Sequence, residues 1–324
     1  MNSNLFKISN QISIDEVEYI YENNFEKIIY EFFNLENDWM YNAYKEYRDL
    51  DKYLILVYLV HQTLETYNKH FYKLSFEKFY NNPHIEIEKI SIIDLVNSLS
   101  MSKETVRRKL NELSKEGVLV RKLKNIRINK VNSNTRLERN VFNLSKLLFL
   151  FVIKLKKEHN LENFTREDLE RKIRENYTQY WNLFFKFQIN YVLRWKNIYS
   201  SIDCFYVWGL CALNEALNSK TLNKSIKENM FMEPKDFHEK LTKLKNSKGL
   251  NPTTISELSG IPRATVIRKI KHLVKNKFLY KDVQLYKINN SKNSKTFKLQ
   301  NKTFQKNQSE LRIFLKESLN LIKN

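Results

Sequence analysis

Two stretches of the sequence, residues 90–129 and 250–289, carry one pattern at a constant offset of 160 positions. Nine residues are identical between them without a gap. The identical pairs are Thr105/Thr265, Val106/Val266, Arg108/Arg268, Lys109/Lys269, Leu113/Leu273, Lys115/Lys275, Leu119/Leu279, Ile128/Ile288 and Asn129/Asn289. Self-similarity at a fixed offset is typical of a repeated structural unit. We therefore predict a mainly α protein built from an internally duplicated module.

Each copy has the same local plan. A short apolar helix leads to a tight turn at Ser100 or Gly260, and Ser102 or Pro262 then opens a second helix as N-cap or first-turn residue. In the second helix, apolar residues recur at i, i+4 and i+7, which places them on one face. After the second helix, apolar and polar residues alternate, with a short interruption in the alternation. This pattern predicts a short β-hairpin with a basic tip.

The opposite face of each second helix is polar and cationic. It carries Glu104, Arg108 and Asn111 in the first copy, with Arg107 on its flank. The order helix, tight turn, helix and hairpin is the plan of a winged helix-turn-helix, whose second helix enters the DNA major groove. Arginine there can bond guanine bidentately, while lysines and the wing grip phosphates.

The segment "SKETVRRKL" (102–110) resembles the recognition helices of the Crp and MarR-like families. The resemblance implies base contacts from Lys103, Glu104 and Arg108, and the matching positions of the second copy are Arg263, Ala264 and Arg268. The first copy has Lys103 where these families have arginine, and the second copy has Ala264 where they have glutamate. The two copies should therefore recognise different half-sites. The resemblance stops there, because the β-roll of the Crp family needs many turn glycines and this chain has four.

The candidate DNA-contacting residues lie on the two recognition helices and the two wings. They are Ser102, Lys103, Glu104, Thr105, Arg107, Arg108, Asn111, Lys122, Lys124, Arg127, Pro262, Arg263, Ala264, Thr265, Arg268, Lys271, Lys281 and Lys287.

Net charge follows the repeat. The chain carries +20, and residues 90–130, 250–290 and 291–324 each carry +6, whereas residues 1–89 carry −6. A basic surface attracts polyanions, although lysines also serve as solvated helix faces. The coincidence of positive charge with the repeated helices favours double-stranded DNA as the partner.

Several chemistries have no support in the sequence. The four glycines are too far apart for a phosphate-binding loop or a dinucleotide fingerprint. The histidines and cysteines show no metal-ligand spacing. Cys204 and Cys211 lie two helical turns apart, too far to bridge, and we expect two buried thiols. We therefore predict no enzyme, no cofactor and no metal.

The rest of the chain is predicted to be helical. Long helices are expected over 15–34 and 38–69, and further helices over 140–159 and 166–201. The segments "ERKIRE" and "EIEKI" have the composition of solvated helix faces. An aromatic stripe from Trp181 to Trp195 indicates core, with a ligand pocket as an alternative. Residues 290–307 are expected to form a loose linker, and residues 308–322 an amphipathic helix that caps the core.

These patterns predict five regions. They are an N-terminal helical region (1–84), a first winged helix-turn-helix (85–131), a central helical region (132–245), a second winged helix-turn-helix (246–290), and a basic linker with a C-terminal helix (291–324).

The function predicted from the sequence is sequence-specific binding of double-stranded DNA by a transcriptional regulator with two winged helices. Two alternatives stay open: a plasmid-type replication initiator, and a non-catalytic scaffold whose winged helices bind protein. No apolar run is long enough to span a membrane, so a cytoplasmic protein is expected. Homodimerisation and a small-molecule effector are left open.

Overall fold

The computed structural model describes residues 11–88, 90–121, 125–129, 134–159, 161, 163–225, 248–289 and 295–323. Its helices are α1 (Ile14–Asn23), α2 (Phe25–Tyr47), α3 (Leu50–Lys69), α4 (Phe76–Asn81), α5 (Ile92–Leu99), α6 (Lys103–Lys115), α7 (Asn134–Leu155), α8 (Arg166–Glu175), α9 (Tyr177–Tyr199), α10 (Ile202–Ser225), α11 (Pro252–Ser259), α12 (Arg263–Lys275) and α13 (Lys295–Asn320). Its strands are β1 (His84–Glu88), β2 (Leu119–Arg121), β3 (Asn125–Asn129), β4 (Leu279–Asp282) and β5 (Leu285–Ile288). The protein is thus mainly helical with small antiparallel sheets, as predicted.

The N-terminal helices begin and end at different residues from those predicted. The expected helix over 15–34 is divided at Asn24, and α2 continues past the expected break to Tyr47. Arg48 then takes a left-handed φ of 53°, which ends α2. The side chain of Asp49 accepts a hydrogen bond from the Lys52 amide and starts α3. These local caps, rather than the apolar period, set the boundaries.

The core is organised around α9, which packs against α3, α10 and α13. Its aromatic stripe is buried, as predicted, and interlocks with rings from α2; the Trp39 and Phe184 ring centroids are 5.0 Å apart. Cys204 and Cys211 are buried free thiols, also as predicted. Within the described ranges, no helix has both the length and the apolar character needed to cross a membrane.

The first sheet has the strand order β1-β3-β2. The hairpin of β2 and β3 was predicted, but β1 was not, because "EIEKI" was assigned to a helix face. Ile85 and Ile87 are buried on one side of β1 while Glu86 projects from the other, a period of two that is typical of a strand. Ile85 and Leu119 both pair with Ile128, so β3 lies between the other two strands.

The second hairpin is formed by β4 and β5, with Leu279 opposite Ile288. In the described part of this region, which begins at residue 248, an isolated bridge joins Leu250 to Tyr286 on the side of β5 that corresponds to the β1 side of β3. The preceding Gly249 lies so close to β5 that an added Cβ would lie 2.6 Å from the Tyr286 carbonyl oxygen. Glycine at this position therefore permits the close approach of the two chain segments.

The C-terminal region corrects another prediction. Residues 295–307 were expected in a loose linker, but they form the first half of α13. Phe304 is buried, the Gln300 amide donates to the Tyr199 hydroxyl at 2.8 Å, and Arg194 donates to Asn307 Oδ1 at 2.6 Å. These tertiary bonds hold a lysine-rich segment in a helix that packs on α9, whereas residues 290–294 lie outside the described ranges. The capping of the core by the segment 308–322 is as predicted.

A matched pair of turn residues allows a stability test. Gly117 and Lys277 follow α6 and α12, and both have left-handed φ values, 72° and 59°. Glycine adopts this conformation without strain, whereas a residue with a Cβ is strained by about 1–2 kcal/mol. We expect Gly117→Ala to lower, and Lys277→Gly to raise, the free energy of unfolding by roughly 1 kcal/mol each in denaturant titrations. Changes of the same sign would contradict this account of the turns.

Candidate nucleic-acid interface

The buried face of α6 fixes which way its other face points. Val106, Leu110 and Leu113 are buried against the α5 side of the small core. Ser100 takes a left-handed φ of 49° in the tight turn between α5 and α6. Because α6 has buried residues at i, i+4 and i+7, residues on its opposite face must project into solvent.

The exposed face of α6 carries the predicted polar side chains. Lys103, Glu104, Arg107, Arg108 and Asn111 are all exposed. The Arg108 side chain is 63% exposed, and its Nε lies 3.9 Å from Glu112 Oε1 in a loose helical pair. Within the described part of the chain, no hydrogen bond or ion pair holds the side chains of Lys103, Arg107 or Asn111. This face is free to contact a ligand.

The start of α6 is held by its own side chains. The Ser102 hydroxyl accepts from the Thr105 amide at 3.1 Å and donates to the Thr105 hydroxyl at 2.9 Å. Ser102 is exposed and Thr105 is half-buried. Ser102 is therefore the N-cap of α6 and Thr105 is its bonding partner in the first turn. Ser102 presents its hydroxyl at the helix N-terminus, where anions are favoured.

A buried lysine fixes α6 to the rest of the molecule. Lys109 Nζ lies 2.6 Å from Asp49 Oδ2, at the start of α3, and 3.1 Å from Glu112 Oε2. Burial alone would lower the pKa of Lys109, but the bonds to Asp49 and Glu112 outweigh it and raise that pKa. The sequence did not reveal this role. The sequence feature that could have revealed this role is that the same residue type, lysine, occupies positions 109 and 269 at the edge of an otherwise apolar helix face.

The segment α11–α12 places its residues in the same way. Val266, Ile270 and Leu273 are buried, while Arg268 and Lys271 are exposed. Pro262, Arg263 and Ala264 are exposed at the start of α12 and Thr265 is half-buried. The Arg263 Nε donates to the Thr253 hydroxyl at 3.1 Å. Lys269 binds Asp203 Oδ2 at 3.0 Å and so joins α12 to the start of α10.

Two predicted wing contacts need correction. Lys287 is only 9% exposed, and its Nζ is paired with Asp282 Oδ2 at 2.7 Å on the same hairpin. Arg127 is half-buried and donates to Glu86 Oε1 at 2.8 Å on the neighbouring strand. Both side chains stabilise sheets, so we remove them from the candidate interface. Lys281 is exposed and stays in it, while Lys122 and Lys124 lie outside the described residues.

Comparison with known families agrees with this geometry. A family model for a DeoR-like helix-turn-helix domain matches residues 86–130, a stretch that begins in β1 and includes α5, α6, β2 and β3. No curated protein and no solved structure matches the chain. The finer resemblance of α6 to the Crp and MarR-like families stays a prediction. Residues 86–130 are thus similar to DeoR-like helix-turn-helix domains, and this similarity supports DNA binding and a role in transcription regulation.

Proposed function

We propose that the chain is a sequence-specific, double-stranded DNA-binding regulator of transcription that uses two winged helices, residues 85–131 and 246–290. In this proposal it acts by binding alone, with no catalytic step. The observation that carries the proposal is the exposure of Arg108 and Arg268 at equivalent positions of α6 and α12. Had either arginine been buried against protein, that helix could not enter a groove.

Support for a second module comes from backbone hydrogen bonds that recur at the offset of 160. The amide of Val118 donates to the Leu113 carbonyl at 3.0 Å, and that of Phe278 donates to the Leu273 carbonyl at 2.8 Å. The amide of Asn129 donates to the Val118 carbonyl at 2.8 Å, and the amide of Asn289 donates to the Phe278 carbonyl at 2.9 Å. Each of these bonds closes the hairpin of its own copy.

Side-chain anchors also support a duplicated module. In both copies the lysine at the same helix position binds a carboxylate at the start of the preceding long helix. The pairs are Lys109 with Asp49 on α3, and Lys269 with Asp203 on α10. An aromatic-rich helix thus precedes and holds each recognition helix, which favours duplication of the whole helical and winged unit.

The two recognition faces differ in chemistry. The first presents Glu104 and Asn111, where the second presents Ala264 and Lys271. Glutamate can accept from cytosine and asparagine can bond adenine, whereas alanine can contact only a methyl group. We therefore propose that the two heads prefer unequal half-sites. Because both heads are in one chain, engagement of the first raises the local concentration of the second.

A salt series with paired variants tests the proposal. Affinity for the preferred duplex should fall steeply as salt rises, because bound lysines and arginines release counterions from phosphates. Lys281→Ala should reduce the slope by about one counterion with little change in sequence preference. Arg108→Ala should instead cost roughly 1–3 kcal/mol of preference for the selected site over random duplex. Equal, salt-insensitive binding to any duplex, or no binding, would contradict the proposal.

A further inference from the structure

The first half of α13 carries a row of lysines on its outer face. The lysines recur at intervals of three or four residues, which places them on one side of the helix. They are Lys295, Lys298, Lys302 and Lys306, and all four are exposed. Gln300, Phe304 and Asn307 are buried on the opposite side of the helix. These four lysines, the lysine row, therefore project into solvent over about 16 Å of helix.

The lysine row has no acidic partner. Residues 295–309 contain no aspartate or glutamate. Among the described residues, no hydrogen bond or ion pair holds any of the four ammonium groups. The cations around the second half of α13 are paired by contrast: Arg194 binds Glu310, and Arg312 lies 3.4 Å from Glu18. The positive charge of the lysine row is thus uncompensated.

This arrangement is unfavourable for the helix itself. Three of the lysines are spaced at i and i+4, where like charges repel one another. Two lie in the first turn of α13, where the helix dipole disfavours cations. Solvated helix faces typically mix both signs, as on α8, where Arg171 lies 2.7 Å from Asp168. A bound polyanion would replace the repulsion with attraction, so the pattern favours a binding surface over a solvated face.

The lysine row lies beside the second winged helix. The Gln300 amide donates to the Tyr199 hydroxyl at 2.8 Å, and the Tyr199 ring packs against that of Phe278 with centroids 4.7 Å apart. Phe278 directly precedes β4, and its amide donates to the Leu273 carbonyl at the end of α12. The first half of α13 and the base of the second hairpin therefore share one buried contact residue.

The first winged helix has no such row beside it in the described part of the chain. The helix that follows its hairpin is α7, which corresponds in position to α13. Arg139 of α7 is paired with Asp38 Oδ2 at 2.7 Å, and Lys146 with Glu31 Oε2 at 3.1 Å. The uncompensated charge is thus on the side of the second copy.

Charge complementarity identifies the partner as a row of phosphates. A lysine ammonium is a compact point charge that binds phosphate without reading a base. One strand of a duplex has a phosphate about every 3.4 Å along the axis, so about 16 Å of helix can follow roughly four or five phosphates. This matches the four lysines present.

We propose that the lysine row binds the phosphate backbone of the duplex directly outside the half-site recognised by α12. The contact is independent of base sequence and extends the footprint of the chain on that side by about half a helical turn. It rests on the function proposed above, because it needs a duplex held by α12.

The first experiment compares three duplexes on the natural sequence. One ends at the edges of the selected site, and the others add about ten base pairs, one helical turn, at one edge or the other. The α12 edge adjoins the half-site whose base preference is lost in Arg268→Ala. Extension at that edge should raise affinity about tenfold or more and steepen the log–log salt slope by about two to four. Equal gains from the two extensions would overturn the proposal.

Triple variants then locate the contact. Lys298→Gln, Lys302→Gln and Lys306→Gln together remove three exposed charges and should abolish the gain from extension. Lys→Arg at the same three positions keeps the charges and should keep the gain. The matched control replaces three other exposed lysines by glutamine: Lys78, Lys154 and Lys157. It should weaken binding of all three duplexes alike. A gain that persists in the first variant, or disappears in the control, would overturn the proposal.

The outcomes separate this contact from the proposed function. Binding of the short duplex with no gain from extension would overturn the contact alone, whereas no binding of any duplex would overturn the proposed function and the contact together. The duplex comparison on the natural sequence does not depend on the folding of any variant. Vesicles of phosphatidylserine and phosphatidylcholine test the other polyanion. Vesicle binding that the glutamine variant loses, without a gain on the extended duplex, would assign the lysine row to a membrane surface and overturn the proposal.

Discussion

Replacement of Arg107 and Arg108 by glutamate should lower affinity for the preferred DNA site by about 10²–10⁴-fold, because it would disable one of the two linked heads that we propose. Both arginines are exposed on α6, and neither contributes to the buried core. The reversed charges would face phosphates, which adds repulsion to the loss of base contacts. Folding should be unaffected, and the affinity of the second head should remain. Binding is measured by fluorescence anisotropy at fixed salt.

The matched control reverses two other exposed positive charges. Arg171 on α8 is 66% exposed, close to the value for Arg108, and Lys157 is exposed after α7. Arg171→Glu with Lys157→Glu changes net charge by the same amount, so it reports the general loss of attraction. We expect this control to lower affinity by less than about tenfold. Equal losses in the two double variants would show that α6 has no special role.

The second large effect is on stability as a function of pH. Glu36 on α2 is buried, and neither carboxyl oxygen has a hydrogen-bond partner of good geometry among the described residues. Burial raises the pKa of Glu36 from 4.5 to about 8, against a smaller opposing effect of Gln188. The folded protein therefore keeps a proton that the unfolded chain releases. The free energy of unfolding should fall as pH rises from about 4.5 to about 8.

Glu36→Gln should remove this dependence, because the amide keeps the shape without a charge. At pH 9 we expect the variant to be more stable than the natural sequence by roughly 3–5 kcal/mol, with little difference at pH 4. Burial also raises the pKa of Glu215 to about 7, so the quantity to compare is the difference between the two proteins. Glu175→Gln, at an exposed position of α8, serves as the control. Parallel pH profiles for Glu36→Gln and the natural sequence would contradict this account.

The helix-turn-helix segment at residues 86–130 could be predicted from the sequence because its determinants are local. The turn at Ser100, the cap at Ser102 and the spacing of Val106, Leu110 and Leu113 lie within a few residues of one another. The strand β1 was missed because two isoleucines alternate with acidic residues over only five positions. The first half of α13 was missed because it is held by Gln300 and Asn307, whose partners lie more than 100 residues away in the sequence.

The candidate interface was predictable for the helix faces but not for the wings. Exposure of Arg108 and Arg268 follows from helical periodicity alone. Arg127 was wrongly included because its partner, Glu86, comes from the unpredicted strand β1, and Lys287 was wrongly included because Asp282 pairs with it across the hairpin. A ligand pocket among the aromatic residues from Trp181 to Trp195 was left open as an alternative. A cavity of about 180 Å³ lies beside Trp39 and Trp181. Its other walls could not be predicted, since they come from helices and strands that meet only in the folded chain.

Selection of preferred sequences from a random DNA pool tests the central claim most directly. The natural sequence, Arg108→Ala and Arg268→Ala are each taken through the same selection. We predict a composite site of two unequal halves, with base preference lost in one half for the first variant and in the other half for the second. Loss of the same bases in both variants, or unchanged preferences in either, would contradict a chain that recognises DNA through α6 and α12 together.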